Sequence, residues 1–150
     1  MDRIIAKNIA ILSSLLGLIL GVLAPIPYIG AFLLSAVFLL SAPSVMVFLI
    51  MDGKLDLTTT QDSIIQGALS GFISGFVFSV SYAVVMFILS VFFHYSSNFI
   101  LTTMIINSPI WLLVVFMLFI GVVFATTNAF SGFLTYYIIN VIRDMYERRK

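Results

Sequence analysis

Hydrophobic residues run along this chain in two long blocks that contain no charged residue, 8–51 and 63–142. A membrane-spanning helix needs about 20 mostly apolar residues to cross a hydrocarbon core about 30 Å thick, so each block is too long for one span. Each block must therefore fold back once. The pattern predicts an all-α integral membrane bundle of four transmembrane helices, built from two antiparallel hairpins in a single membrane domain over residues 1–150.

Turn residues indicate where each block folds back. The segment APIPYIG in the first block holds Pro25 and Pro27, which remove backbone donors and disfavour helix in the residues before them. In the second block the segments HYSSNF and NSP supply turn chemistry, and Pro109 suits the start of the next helix. The predicted spans are 8–24, 29–51, 63–93 and 109–141, and the last two are long enough to tilt or to project from the bilayer.

The charged residues predict the orientation of the spans. Only 9% of the 150 residues are charged and 62% are hydrophobic, a balance far outside that of ordinary soluble domains. Lys and Arg occur twice before the first span, once in the loop 52–62 and four times in the basic tail 142–150. Because positive residues stay on the cytoplasmic side, both termini and this loop are predicted to be cytoplasmic, in a multi-pass protein of the plasma or inner membrane.

Side chains that commonly carry catalysis or bind metals are sparse. There is no cysteine, which excludes disulfides and thiolate sites. We find no nucleophile with a base, no histidine–carboxylate cluster and no phosphate-binding loop, so the sequence predicts no enzyme and no cofactor. His94 is interpreted as an interfacial residue. Asp52, Asp56 and Asp62 lack the spacing of a calcium-binding loop, and Asp62 is interpreted as a helix cap before the third span.

Small residues form narrow strips on three of the four spans. Both the first and the third span contain the spacing G-x-x-x-G, which lets another helix backbone approach closely. The first, third and fourth spans are therefore predicted to form a tight core. The second span, with scattered small residues and Pro43, is predicted to lie at its periphery. The candidate helix-packing or ligand-lining residues are Gly17, Gly21, Gly67, Gly71, Ser74, Gly75, Gly121, Asn128, Ser131 and Gly132.

A polar cluster in the segment FATTNAFSGF interrupts the apolar fourth span. At 100° per residue, Asn128 shares a strip with Gly121 and Gly132 and must face protein, whereas Thr126 lies away from the strip and can bond a carbonyl one turn earlier. Two interpretations of Thr126, Thr127 and Asn128 stay open, helix packing and a ligand or ion site. For packing alone, leucine at position 128 is expected to change the free energy of unfolding by about 1 kcal/mol in either direction.

Packing faces without buried charge favour a non-enzymatic small polytopic protein that acts through helix–helix contacts, as an accessory, assembly or membrane-organising subunit. Its expected partners are the lipid bilayer and either itself, as a homo-oligomer, or another membrane protein, with no nucleic acid. The alternative is a channel or transporter subunit for a neutral or lipid-like substrate, lined by Thr127, Asn128, Ser131 and the serines of the third span. A holin-like pore former is a further alternative.

Overall fold

The computed structural model describes residues 3–55, 59–96 and 98–148, which form five α-helices and no strand. Four of these helices are long and apolar enough to cross a membrane. The predicted all-α class and its four membrane-length helices are thereby confirmed. The helices are α1 (Arg3–Leu23), α2 (Gly30–Met51), α3 (Thr60–Phe93), α4 (Phe99–Asn107) and α5 (Ile110–Glu147).

The short helix α4 lies in the connection for which the sequence predicted only turns. The side chain of Asn98 caps it, because its Oδ1 atom accepts a hydrogen bond from the backbone N–H of Leu101 at 3.2 Å. It packs against α3. Just before it, the Tyr95 hydroxyl donates to the carbonyl of Pro25 at 3.0 Å. The connection is thus tied to the turn between α1 and α2.

Two helix ends differ in detail from the sequence prediction. The residue that caps α3 is Thr59, whose Oγ1 accepts from the backbone N–H of Asp62 at 3.1 Å and donates to its carboxylate at 2.8 Å. Asp62 is therefore the third residue of α3 and not its cap. Helix α5 continues to Glu147, so most of the predicted basic tail is helical. The predicted loop and terminal charges Asp2, Asp56, Arg149 and Lys150 lie outside the described residues.

Helix α3 is the central helix and packs against α1 on one side and α5 on the other. Gly17 lies against Ser74 and Gly21 against Phe78. The residue numbers rise together along both helices, so α1 and α3 are parallel. Gly67 lies against Asn128 and Gly75 against Phe124. Since one number rises while the other falls, α3 and α5 are antiparallel.

The position of α2 corrects the prediction that the second span is peripheral. It packs against α1, α3 and α5. The sequence prediction considered only small residues, whereas the buried face of α2 mixes small and large side chains at helical spacing. These buried residues are Val37, Ser41, Ala42, Val45, Met46 and Leu49.

The apolar core is divided along the bundle into two clusters. One lies near the loop 52–59, which we call the loop side, and includes Ile9, Met46 and Leu49. The other lies toward the turn between α1 and α2, which we call the turn side, and includes Phe78 and Phe124. The polar residues described below occupy the level between these clusters.

Helix α3 extends well beyond α1 on the turn side. From the contact between Gly21 and Phe78, α1 continues for two residues to Leu23, whereas α3 continues for 15 residues to Phe93. At 1.5 Å per residue this second distance is about 22 Å. On this side, α3 therefore extends beyond the helical part of the first hairpin and is accompanied only by its turn.

Candidate functional site: a buried polar layer around Asn128

The side chain of Asn128 is fully buried at 0% exposure in the middle of the bundle. It lies on the buried face of α5 together with Gly121 and Gly132, the face assigned to it by the helical period. It is directed at α2 and α3, not at lipid.

Five hydrogen bonds hold the Asn128 carboxamide. Its Oδ1 atom accepts from the backbone N–H of Ala42 at 2.8 Å and from the Ser41 hydroxyl at 3.1 Å. Its Nδ2 group donates to the carbonyl oxygens of Phe38 at 3.0 Å, Val37 at 3.3 Å and Phe124 at 3.0 Å. An amide nitrogen carries only two hydrogens, so two of these three acceptors share one hydrogen. Both ends of the amide are satisfied without water.

These contacts coincide with the proline break in α2. In a regular α-helix the N–H of Ala42 would donate to the carbonyl of Phe38, four residues earlier. Pro43 has no N–H, and its ring crowds the preceding turn. Asn128 bonds both the N–H of Ala42 and the carbonyl of Phe38. A side chain of α5 thereby satisfies the backbone of α2 where proline disturbs it, as a neighbouring helix must do in a bilayer.

Serine hydroxyls extend the polar layer to the other helices. Ser74 of α3 donates to Ser41 of α2 at 2.8 Å, and Ser41 donates in turn to Asn128. Beside this chain, Ser13 of α1 donates to Ser70 of α3 at 2.9 Å. All five side chains are at 0% exposure. The layer links all four membrane-length helices through mutually satisfied polar groups.

The glycines of α3 make room for this layer. A Cβ atom at Gly71 would overlap the carbonyl oxygen of Phe124 and lie 2.5 Å from the Cβ of Asn128. At Gly75 it would lie 2.7 Å from the Cβ of Phe124. Real Cβ atoms do not approach so closely, so the observed helix distance requires glycine here.

The other members of the polar cluster do not join the layer. Thr126 is exposed and donates to the carbonyl of Val123 at 2.8 Å, and Thr127 donates to the same carbonyl at 3.1 Å. Ser131 is buried one turn further along, and its carbonyl accepts from the Thr135 hydroxyl at 2.8 Å. The structure therefore brings Asn128 and Ser74 together and separates them from both threonines.

Sequence reasoning missed several participants in or near this layer. The sequence prediction treated the small residues of the second span, of which Ser41 is one, only as scattered, although a hydroxyl two residues before a proline in an apolar span was an available signal. The Ser13–Ser70 pair was not foreseen because nothing local shows which seams face each other. Gln66 is 4% exposed, and its Oε1 atom has no hydrogen-bond partner among the described residues.

We expect Gln66→Leu to leave the stability unchanged or to raise it by about 1 kcal/mol, because leucine removes a buried carbonyl that has no partner. Gln66→Glu is the matched control, since it keeps the size and adds a charge that burial disfavours. Unfolding in detergent, followed by circular dichroism, measures both variants. A loss of more than about 2 kcal/mol in Gln66→Leu would mean that the amide makes an important contact.

A cavity of about 590 Å³ lies on the turn side of Phe78 and Phe124, and no side chain of the polar layer lines it. Within the described residues, no three His, Asp or Glu side chains form a group that could hold a metal ion.

No family model matches this chain, and neither does any curated protein or solved structure. Inference on function therefore rests on the geometry of the chain itself.

Proposed function

We propose that the protein is a non-enzymatic accessory or assembly subunit of a membrane complex and that it contacts its partner through the end of α5. The observation that carries this proposal is the continuation of α5 past the bundle as an exposed amphipathic helix. Every described residue from 141 onward is exposed.

The length of the extension follows from the contact between Gly67 and Gly132. Helix α3 begins at Thr60, seven residues before Gly67, whereas α5 continues for 15 residues after Gly132 to Glu147. The excess is 15 minus 7, or eight residues, which is about 12 Å of helix. Charged residues at 143, 144 and 147 support a position outside the hydrocarbon core, because charges there are costly.

The extension has one apolar face and one polar face. At 100° per residue, Val141, Ile142 and Met145 lie within a single arc, while Asn140 and Glu147 lie opposite. The three apolar side chains are 41%, 56% and 55% exposed. An uncovered apolar helix face outside the membrane is typical of a protein contact site, and a groove on a partner is the usual receptor for such a helix.

The interior of the bundle favours a contact function over conduction. The glycine strips of α1 and α3 are occupied by contacts within this chain. Asn128, Ser41 and Ser74 bond one another at 0% exposure, so they offer no wetted surface to a substrate. Both facts weigh against a channel lined by these residues and direct attention to the exterior.

The orientation of the chain matters for the proposal because the partner must present its binding surface on the side of the membrane where the extension lies. The distribution of Lys and Arg supports the proposal that both termini are cytoplasmic. A reporter enzyme that is active only outside the cytoplasmic membrane, fused after Lys150, is expected to stay silent, and the same reporter inserted after Tyr95 is expected to be active. The reverse result would contradict the proposed orientation and place the contact site on the opposite side.

A pair of charge substitutions tests the contact. Ile142→Glu places a carboxylate on the apolar face of the extension, and Asn140→Glu places the same group on the polar face two residues away. We expect the wild type, purified from its own membranes in mild detergent, to run as a complex larger than one chain. Ile142→Glu is expected to lose at least about 90% of the associated protein, as a buried unpaired charge costs several kcal/mol, and Asn140→Glu to keep it.

A photo-crosslinking residue at position 145 identifies what is bound and shows whether it is another protein or a second copy of this chain. A wild-type particle that contains a single chain and no associated protein would refute the proposal. Equal losses from Ile142→Glu and Asn140→Glu would show that the apolar face is not the contact.

A further inference from the structure

We propose that the cavity on the turn side of the bundle binds one acyl chain of a membrane phospholipid. Its volume of about 590 Å³ lies within the range of about 300–1,000 Å³ that is usual for ligand sites. The turn between α1 and α2, the start of α2, and parts of α3, α4 and α5 line it. It is therefore enclosed by parts of four helices and by the turn between α1 and α2.

The cavity is a consequence of unequal helix lengths. Helix α3 continues about 22 Å beyond its contact with Gly21, whereas the first hairpin turns back after Leu23. On this side the first hairpin reaches the outer part of α3 through its turn, where the Tyr95 hydroxyl donates to the carbonyl of Pro25. Helix α4 contributes Leu101, Met104 and Ile105 to the remaining wall. What is left is a recess between α2, α3, α5 and the short helix α4, which the turn between α1 and α2 borders.

The chemistry of the lining selects a hydrocarbon ligand. Most lining residues are apolar, and the polar side chains of Ser79, Asn98 and Tyr82 are already engaged. The Ser79 hydroxyl donates to the carbonyl of Gly75 at 2.8 Å, and the Asn98 side chain caps α4. Tyr82 stacks on Phe78 with ring centroids 6.4 Å apart and makes a further interaction. A polar ligand would lose its hydration without gaining partners, whereas an alkyl chain loses nothing.

Access from the lipid is lateral. The floor of the cavity is buried and includes Phe78, Ala83 and Phe124, while the rim residues Ile26 and Leu34 are 43% and 45% exposed. Tyr28 at the rim is fully exposed and has a φ of 68°, a left-handed conformation that is rare for a large residue. In a bilayer the medium at that mouth is acyl chain, and an unfilled void would forfeit dispersion contacts along its walls.

The test uses the full-length protein in detergent and a dioleoyl phosphatidylglycerol probe. Native mass spectrometry counts lipids retained per chain, and the melting temperature is followed as the lipid is titrated. The wild type is expected to retain one phospholipid per chain. Its melting temperature is expected to rise saturably, by about 5 °C when the free lipid concentration is about 100 times Kd. Dioleoyl phosphatidylcholine is expected to give the same rise, since the lining contacts the chain and not the headgroup.

Two variants obstruct the cavity at different depths. Ala83→Phe fills the floor, and Ala31→Phe narrows the mouth at an exposed lining position where a large side chain has room. Ala129→Phe is the matched control, because this half-buried residue of α5 is not part of the lining. Both obstructing variants are expected to lose the retained lipid and the lipid-dependent rise, and the control is expected to keep both.

Equal retention in all four proteins would overturn the proposal and assign the lipid to the outer surface of the bundle. A wild type that retains no lipid and shows no saturable rise would overturn it as well. If Ala83→Phe fails to fold, Ala31→Phe decides the question alone, because its substitution lies at the surface. A strong preference for one headgroup would contradict a site that recognises only the chain.

Discussion

Replacing Gly71 with isoleucine is expected to lower the free energy of unfolding in detergent by about 4 kcal/mol or more. The new Cβ would overlap the carbonyl oxygen of Phe124 and press on the side chain of Asn128. Since the obstacle is backbone, no rotamer change relieves it, and α3 and α5 must separate. Helix separation would also break the bonds of Asn128 to α2. Titration with sodium dodecyl sulfate, followed by circular dichroism and by particle size, measures the loss.

A graded series of glycine-to-alanine variants controls this prediction. Gly71→Ala meets backbone, whereas Gly121→Ala meets the Phe72 ring at 3.1 Å, which can move, so its effect should stay near 1 kcal/mol. A substitution at Gly53, in the loop after α2, is the comparison outside the helix contacts. Gly53 has open space around it but a φ of 67°, which asparagine tolerates better than isoleucine, so Gly53→Asn is the better control. A larger effect at Gly121 or Gly53 than at Gly71 would refute the proposed packing constraint.

The Asn128→Leu variant is expected to lose about 3 kcal/mol of stability, more than the sequence alone suggested. Leucine cannot bond the N–H of Ala42 or the carbonyl of Phe38, and both lie in the bundle interior beside Pro43. Each polar group left without a partner costs about 1–3 kcal/mol. The cost is limited because these two backbone groups can partly bond each other. Equilibrium unfolding in detergent measures the change, and an effect below about 1 kcal/mol would contradict it.

A double-mutant cycle with Pro43→Ala isolates the cause. Alanine restores a backbone N–H at position 43 and removes the ring that disturbs α2. In this background α2 can complete its own hydrogen bonds, so Asn128→Leu should cost at least about 1 kcal/mol less than in the wild type. Ser131→Ala is a suitable control, since Ser131 is buried on the same helix and forms no bond with α2 in the structure. Strict additivity would show that Asn128 does not act through the proline break.

Local pattern was sufficient to predict part of this architecture. The 100° period placed Asn128 on the protein face of α5, and the glycine spacing placed α1, α3 and α5 in close contact, because both features depend on one helix at a time. The pairing of Asn128 with residues 37–42 could not be predicted, because the signal at Ser41 and Pro43 marks a polar position in α2 without showing which helix faces it. The interior position of α2 was missed for the same reason.

Helix ends were the other limit. Helix α4 depends on the cap at Asn98, a turn-forming residue that the sequence alone made part of a loop. Helix α5 was predicted to stop near 141 because charged residues follow. Arg and Glu are good helix formers, so polarity ended the membrane segment without ending the helix.

The repair of α2 by Asn128 has a consequence for biosynthesis. Residue 43 leaves the ribosome 85 residues before residue 128, a delay on the order of 10 s at ordinary rates of translation. During that interval α2 has entered the membrane without the amide that satisfies its backbone. In a chain that stops before residue 128, the N–H of Ala42 and the carbonyl of Phe38 lack the amide that bonds both of them in the complete bundle.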